Sequence, residues 1–152
     1  MSITAIRAQL QTNLAAMTGL TAAYYPAPAE APAASELPFI IIEKAKPFLS
    51  VTAETMGDMV RYTWHFNLKF CFTEVGLDTY DQWMVGIEPF YKRVVDILMG
   101  DIKLHQDSSS LVFSPNQKPI DFDEGMVNYL GTEYYGFEIK VDFWEKVNTV
   151  MA

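Results

Sequence analysis

The residues of this 152-residue chain best suited to chemistry are two histidines, one cysteine and a scatter of carboxylates. His65 and Cys71 lie in the run MVRYTWHFNLKFCFT (59–73), on the same parity of an alternating pattern. Six residues of strand separate them by about 20 Å, too far for an imidazole to activate a thiol. They are read as partly exposed sheet residues. His105 stands near Asp107 and Ser108 to Ser110, the residue types of acyl transfer. Neighbours in a loop rarely converge on one point, and no Gly-x-Ser-x-Gly elbow accompanies them. Asp121, Asp123 and Glu124 before Gly125 offer hard oxygen ligands to a cation such as Ca²⁺. The remaining ligands of an EF-hand loop are missing, so an acidic solvated turn is expected. With no glycine-rich phosphate loop, HExxH or CxxC, the reading is non-enzymatic: no catalytic residue, no cofactor and no metal.

Charge narrows the partners. Eleven basic against nineteen acidic residues leave 11 − 19 = −8, which repels a phosphate backbone unless the cations gather on one face. No such gathering is visible in the sequence, and Lys92-Arg93 reads as a solvated helix face. The single cysteine rules out an internal disulfide and suits a reducing cytosol. The start MSITAIRAQLQTNLAAM lacks the basic, continuously apolar character of a signal peptide, and nowhere do 18 apolar residues run together. A soluble, unexported protein without a membrane partner is expected. With half its residues hydrophobic and 20% charged, the chain reads as one globular domain over 1–152, able to bury roughly 70% of its unfolded surface.

The positioning elements follow from periodicity. Ile3, Ile6, Leu10, Leu14 and Met17 recur at helical spacing, with Ser2 as cap and Gly19 as stop. From 21 to 38 the composition turns to alanine and proline, with Pro26, Pro28, Pro32 and Pro38 forbidding regular structure, which reads as a semi-extended surface arm. PFIIIEKA (38–45) reads as a strand buried on both faces and ended by Pro47. FLSVTAETMGD is a loop or a frayed continuation, closing in a Gly57-Asp58 turn.

In the 59–73 run, Tyr62, Trp64, Phe66, Leu68, Phe70 and Phe72 take one parity, while Arg61, Thr63, His65, Asn67, Lys69 and Cys71 take the other. After Gly76 the period becomes helical: Thr79 and Gln82 form a capping box, and Tyr80, Trp83, Met84, Ile87, Phe90, Tyr91, Val94 and Leu98 make an apolar stripe. Pro89 predicts a kink near Gly86 to Pro89. Residues 101–125 read as an irregular acidic loop, with Ile102 to Leu104 and Leu111 to Phe113 as short strand candidates. Tyr135, Phe137, Ile139, Val141, Phe143 and Val147 then alternate with Glu138, Lys140, Asp142, Trp144 and Lys146. Trp144 is a large indole on an otherwise charged face. The order implies an α+β domain: an antiparallel or mixed sheet with the N-terminal helix and the long kinked helix packed on one face.

What remains points outward. Tyr24, Tyr25 and Trp144 are the candidate subunit or partner interface residues, beside the arm and the 101–125 loop. The competing reading packs the two tyrosines back onto their own domain and has Trp144 cover a second helix.

The whole pattern resembles the tail-terminator (tail-completion, head-to-tail joining) proteins of long-tailed bacteriophages. The resemblance is carried by the helix SITAIRAQLQTNLAAM, the proline-led strand LPFIIIEKA, the strand RYTWHFNLKFCFT followed by the helix TYDQWMVGIEPFYKRVVDILMG, and the closing strand GTEYYGFEIKVDFWEKV. It spans nearly the full length, in order and texture rather than in any short motif. It implies a virion structural protein, made in the host cytoplasm, that forms a ring, expected to be a hexamer, on the end of the tail tube. Such a ring ends tube polymerisation and meets the head connector. Its partners would be its own copies, the tail-tube protein and the head-connector protein, with genomic DNA passing through the lumen unbound. The length of the arm and of the 101–125 loop departs from that pattern and leaves open another neck or tail ring protein: a head-completion, connector or tail-tube subunit. A different class is a small ligand-binding or enzymatic α+β domain with a pocket lined by Trp64, Phe66, Trp83 and Phe90.

Overall fold

The computed structural model describes residues 3–25, 27–53, 59–76, 80–101, 109–111 and 120–148. Among the described residues the protein is α+β, with two α-helices and a mixed six-stranded sheet. Helix α1 spans Ile3–Ala15 and α2 spans Tyr80–Gly100. The strands are β1 (Ala22–Tyr24), β2 (Phe39–Ala53), β3 (Met59–Glu74), β4 (Ser109–Leu111), β5 (Phe122–Tyr129) and β6 (Thr132–Asn148). The sheet runs β1-β2-β3-β6, and the far edge of β6 carries β5 along one half and β4 along the other. Only the β1–β2 pair is parallel.

Alternation sorts the side chains into two cores. Even-numbered Phe66, Leu68 and Phe70 of β3 and odd-numbered Phe137, Ile139, Val141 and Phe143 of β6 join Ile6, Leu10 and Leu14 of α1 and Trp83, Ile87, Phe90, Val94 and Leu98 of α2 in one buried cluster. Aromatic pairs fill it: Phe70 stacks on Phe137 at 4.6 Å, and Trp83 lies flat on Tyr135 at 4.7 Å. The opposite face holds a smaller core of Phe39, Ile41, Cys71, Val127, Tyr129 and Tyr134. Phe39 to Ile42 are thus buried on both faces, as their unbroken apolar run predicts.

The backbone departs from simple regularity in two places, and 101–125 holds short strands. Pro47 does not end β2. The strand continues to Ala53 because Ala45 to Phe48 have no register partner and bulge out against the single residue His65, so the missing proline N–H removes no ladder bond. Four residues against one is an excess of three, an odd number, so the bulge inverts the strand's parity. Before it Ile40 and Ile42 pack in the helix-side core; after it Leu49 and Val51 take that side of the sheet, paired with Trp64 and Tyr62, but stay exposed. In β3 the alternation slips by one residue at Phe72, between the pairs Cys71–Gly136 and Thr73–Tyr135. The strands approach closely there: a Cβ on Gly136 would lie 1.8 Å from the Phe70 carbonyl oxygen. Finally, the stretch expected to be irregular over 101–125 contains β4 and the start of β5. Ser2, Gly57-Asp58, Thr79, Ile102 to Leu104, His105, Asp107, Ser108, Val112 and Phe113 lie outside the described residues.

The arm is held against its own domain. Thr21 N–H donates to the Pro38 carbonyl at 2.8 Å, Tyr134 Oη donates to Pro32 O at 3.4 Å, and Tyr129 Oη donates to Pro28 O. Ala22, Ala27, Ala31 and Leu37 pack on the second core. A proline-rich segment has few N–H groups but keeps every carbonyl, and the tyrosine hydroxyls satisfy two of these.

Candidate functional site

The polar face of β2, β3 and β6 brings together the side chains with chemical potential. Register sets His65 directly opposite Asp142, and the parity inversion after the β2 bulge turns Ser50, paired with Thr63, onto the same face. Asp142 Oδ1 lies 2.7 Å from His65 Nδ1, and Ser50 Oγ lies 2.8 Å from His65 Nε2. An ionised carboxylate only accepts hydrogen bonds, so Nδ1 carries the proton toward Asp142. In the neutral imidazole Nε2 is then the acceptor for the Ser50 hydroxyl. His65 and Asp142 side chains keep 23% and 40% of their surface exposed, so the group is reachable.

A concavity of about 470 Å³ opens beside them over the bulge, lined among others by Lys44, Lys46, Lys69, Lys140, Glu43 and Asp142. Lys44 pairs with Phe66 and carries its ammonium to the helix side, 4.9 Å from the Phe48 ring, which leaves three ammoniums against two carboxylates, 3 − 2 = +1 locally, on a chain of net −8. Lys69 lies 3.0 Å from Glu43 and donates to the Asn128 carbonyl at 3.1 Å, while Asn67 donates to Glu138 at 3.2 Å. The face is a cross-strand polar ladder with a gap at the bulge.

The structure does not bring His65 and Cys71 together. Cys71 is buried in the second core, where burial first, then Glu138 and Glu43, push its thiol up to about 12 against the opposing pull of Lys69. It is a core residue with no thiolate at neutral pH. Asp123 and Glu124 alternate on β5: Asp123 pairs with Glu138 on the polar face, whereas Glu124 pairs with Phe137 and accepts from Tyr91 of α2. They cannot share one ion. Among the described residues no group of three His, Cys, Asp or Glu could hold a metal. Phe66, Trp83 and Phe90 are packed inside the helix-side core and Trp64 is half-buried at its margin. Ser50 and Asp142, which complete the His65 cluster, are 15 and 77 residues from His65, and only strand register reveals them.

The interface candidates have contacts within the chain. Tyr24 is half-buried with its ring edge-on to Phe39 at 5.7 Å, and burial followed by Glu36 raises its phenol. Tyr25 lies under the Arg7 guanidinium, whose Nη1 donates to the hydroxyl at 3.0 Å. Trp144 is half-buried on the polar face beneath Arg61, 4.7 Å from guanidinium carbon to ring centre.

The apolar face reaches further than the helices. Past the bulge Leu49 is 39% and Val51 58% exposed on the parity that elsewhere forms the core, beside half-buried Val60, Tyr62 and Trp64. Along the outer edge of β2, β1 pairs only with Phe39 to Ile41; among the described residues no strand pairs with that edge from Ile42 to Ala53. No helix among the described residues is long and apolar enough to cross a membrane. No family model matches the chain, and no curated protein is significantly similar to it.

Proposed function

We propose that the protein is a ring-forming structural protein of a bacteriophage virion, a tail terminator whose copies close into a ring, taken here as a hexamer, on the end of the tail tube and present a surface to the head connector. The observation that carries this reading is the overhang of β2, β3 and β6. The 16 and 17 residues of β3 and β6 extend about 50 Å, and β2 follows them for about 40 Å, whereas a small domain usually needs about half that length. Their distal halves keep Leu49 and Val51 exposed and, among the described residues, leave the β2 edge unpaired, both of which a neighbouring copy would cover.

In this reading both helices lie over the same sheet face, with α2 bent between Gly86 and Pro89. The proximal sheet and helices form the body of each protomer, and the distal ribbon reaches the next one. Tyr24, Tyr25 and Trp144 lie near subunit boundaries. The net charge of −8 keeps DNA in the lumen from adhering to the wall.

The test is a pair of variants read in light scattering. Val51→Asp on the distal ribbon reduces the assembled mass toward the 17.2 kDa protomer while leaving thermal unfolding nearly unchanged. An assembly untouched by Val51→Asp and by Trp144→Ala removes the ribbon from the interface.

A further inference from the structure

We infer that Ser50 is an activated hydroxyl that accepts acyl groups from small anionic esters, with His65 as its general base and Asp142 as the residue that orients the imidazole. This is independent of the ring reading. It rests on three side chains from three strands converging on one chain of hydrogen bonds, 2.8 Å and 2.7 Å long, of which His65 and Asp142 also line an open concavity.

A serine hydroxyl is a weak nucleophile until a neighbouring base takes its proton as the new bond forms. The acceptor is in place: Nε2 faces Oγ, and the Asp142 bond to Nδ1–H fixes the tautomer and stabilises the imidazolium that follows. The bulge gives the arrangement its opening. Ala45 to Phe48 leave the ladder opposite His65, and the concavity over Ala45, Lys46 and Pro47 reaches the imidazole and Asp142.

The charge of the concavity selects the substrate. Lys46, Lys69 and Lys140 outnumber Glu43 and Asp142 there, so an ester whose acid portion carries a carboxylate is drawn in over a neutral one. In the step itself, Ser50 Oγ attacks the ester carbonyl carbon and its proton passes to His65 Nε2. The carbonyl π pair moves to oxygen and returns as the carbon–oxygen bond to the leaving alcohol breaks. The imidazolium gives its proton to that leaving oxygen, and the acyl group remains on Ser50 as a new ester.

The experiment uses the full-length protein and 4-nitrophenyl hydrogen succinate, read as nitrophenolate release and by peptide mass analysis. The expected result is one succinyl group per chain, on Ser50. That label is absent in Ser50→Ala, is formed about a hundredfold more slowly in Asp142→Asn, and returns on the new thiol in Ser50→Cys. Circular dichroism of Ser50→Ala, a small change at a half-buried position, establishes that the fold is kept. Labelling confined to lysines, labelling that persists in Ser50→Ala, or release no faster than in protein-free buffer would each overturn the proposal.

Discussion

The Trp64 indole donates its hydrogen bond to Glu145, 81 residues away, at 3.0 Å, and that carboxylate is only 2% exposed. The pair sits on the apolar side of the distal ribbon, where Glu145 is opposite Tyr62 and its second oxygen, Oε2, has no hydrogen-bond partner among the described residues. Burying a carboxylate with an oxygen unsatisfied is costly, whereas a carboxamide keeps an acceptor for the indole and carries no charge. Glu145→Gln is therefore expected to hold or raise stability. Glu145→Ala, which orphans the indole N–H, is expected to lower it by about 1 to 3 kcal/mol. Urea denaturation compares them, and a Gln variant less stable than the Ala variant would mean that the charge itself is needed.

Where β3 and β6 close at the Phe72 slip, no side chain fits on Gly136. The obstacle is the Phe70 carbonyl, a ladder group that cannot rotate aside. Gly136→Ala is expected to cost at least about 3 kcal/mol, near the upper end for overpacking, because two backbones must separate. Chemical denaturation against the parent protein measures it; a loss under about 1 kcal/mol would place the strands further apart.

The β5–β6 hairpin turns through Leu130 and Gly131, both at positive φ, 51° and 87°. Positive φ at both central positions belongs to the type I′ turn, which suits Asn-Gly and penalises leucine by roughly 1 to 2 kcal/mol. Leu130 is also exposed and so loses little packing on replacement. Leu130→Asn is expected to raise the thermal midpoint by several degrees, and a lowered midpoint would show that the leucine is needed for packing.

The second core predicts an alkaline weakness. Burial raises the Cys71 thiol and the Tyr129 and Tyr134 phenols, with Glu43 adding to the shift at Tyr129 and Cys71 and Glu74 adding at Tyr134. Each group holds its proton more tightly folded than unfolded, so at high pH the unfolded chain binds fewer protons and stability declines. Their contribution is complete below the ordinary thiol value of about 8.5 and is lost as pH rises toward 12. Cys71→Ala is expected to be less stable at neutral pH but to flatten the first part of the decline. Urea midpoints between about pH 7 and 11 read the slope; an unchanged slope would remove Cys71 as its source.

Much of the fold was legible because burial imposes its period directly on the residues. The alternation from Arg61 to Cys71 and from Tyr135 to Phe143, and the stripe from Trp83 to Leu98, give strands and helix where the chain has them. Proline and parity hid the rest. Pro47 reads as a stop because a central strand cannot spare an N–H, yet in a bulge nothing is asked of that group. The same bulge decides whether Ser50 or Leu49 faces the core, and no local signal in FLSVTA relates its parity to that of FIII. The Ser50–His65–Asp142 group was invisible for this reason: each residue is ordinary where it stands, and register alone makes them neighbours. The contacts of Tyr24 and Tyr25 also depend on how the arm folds back, which composition describes only as extended.

In the proposed ring, the apolar face of the long ribbon is completed by further copies of the chain. Electron microscopy of the purified protein tests it most directly: closed rings of repeated protomers, about six times 17.2 kDa each, are the predicted result. Isolated particles of protomer mass at every concentration, with Leu49 and Val51 left open to solvent, would contradict it.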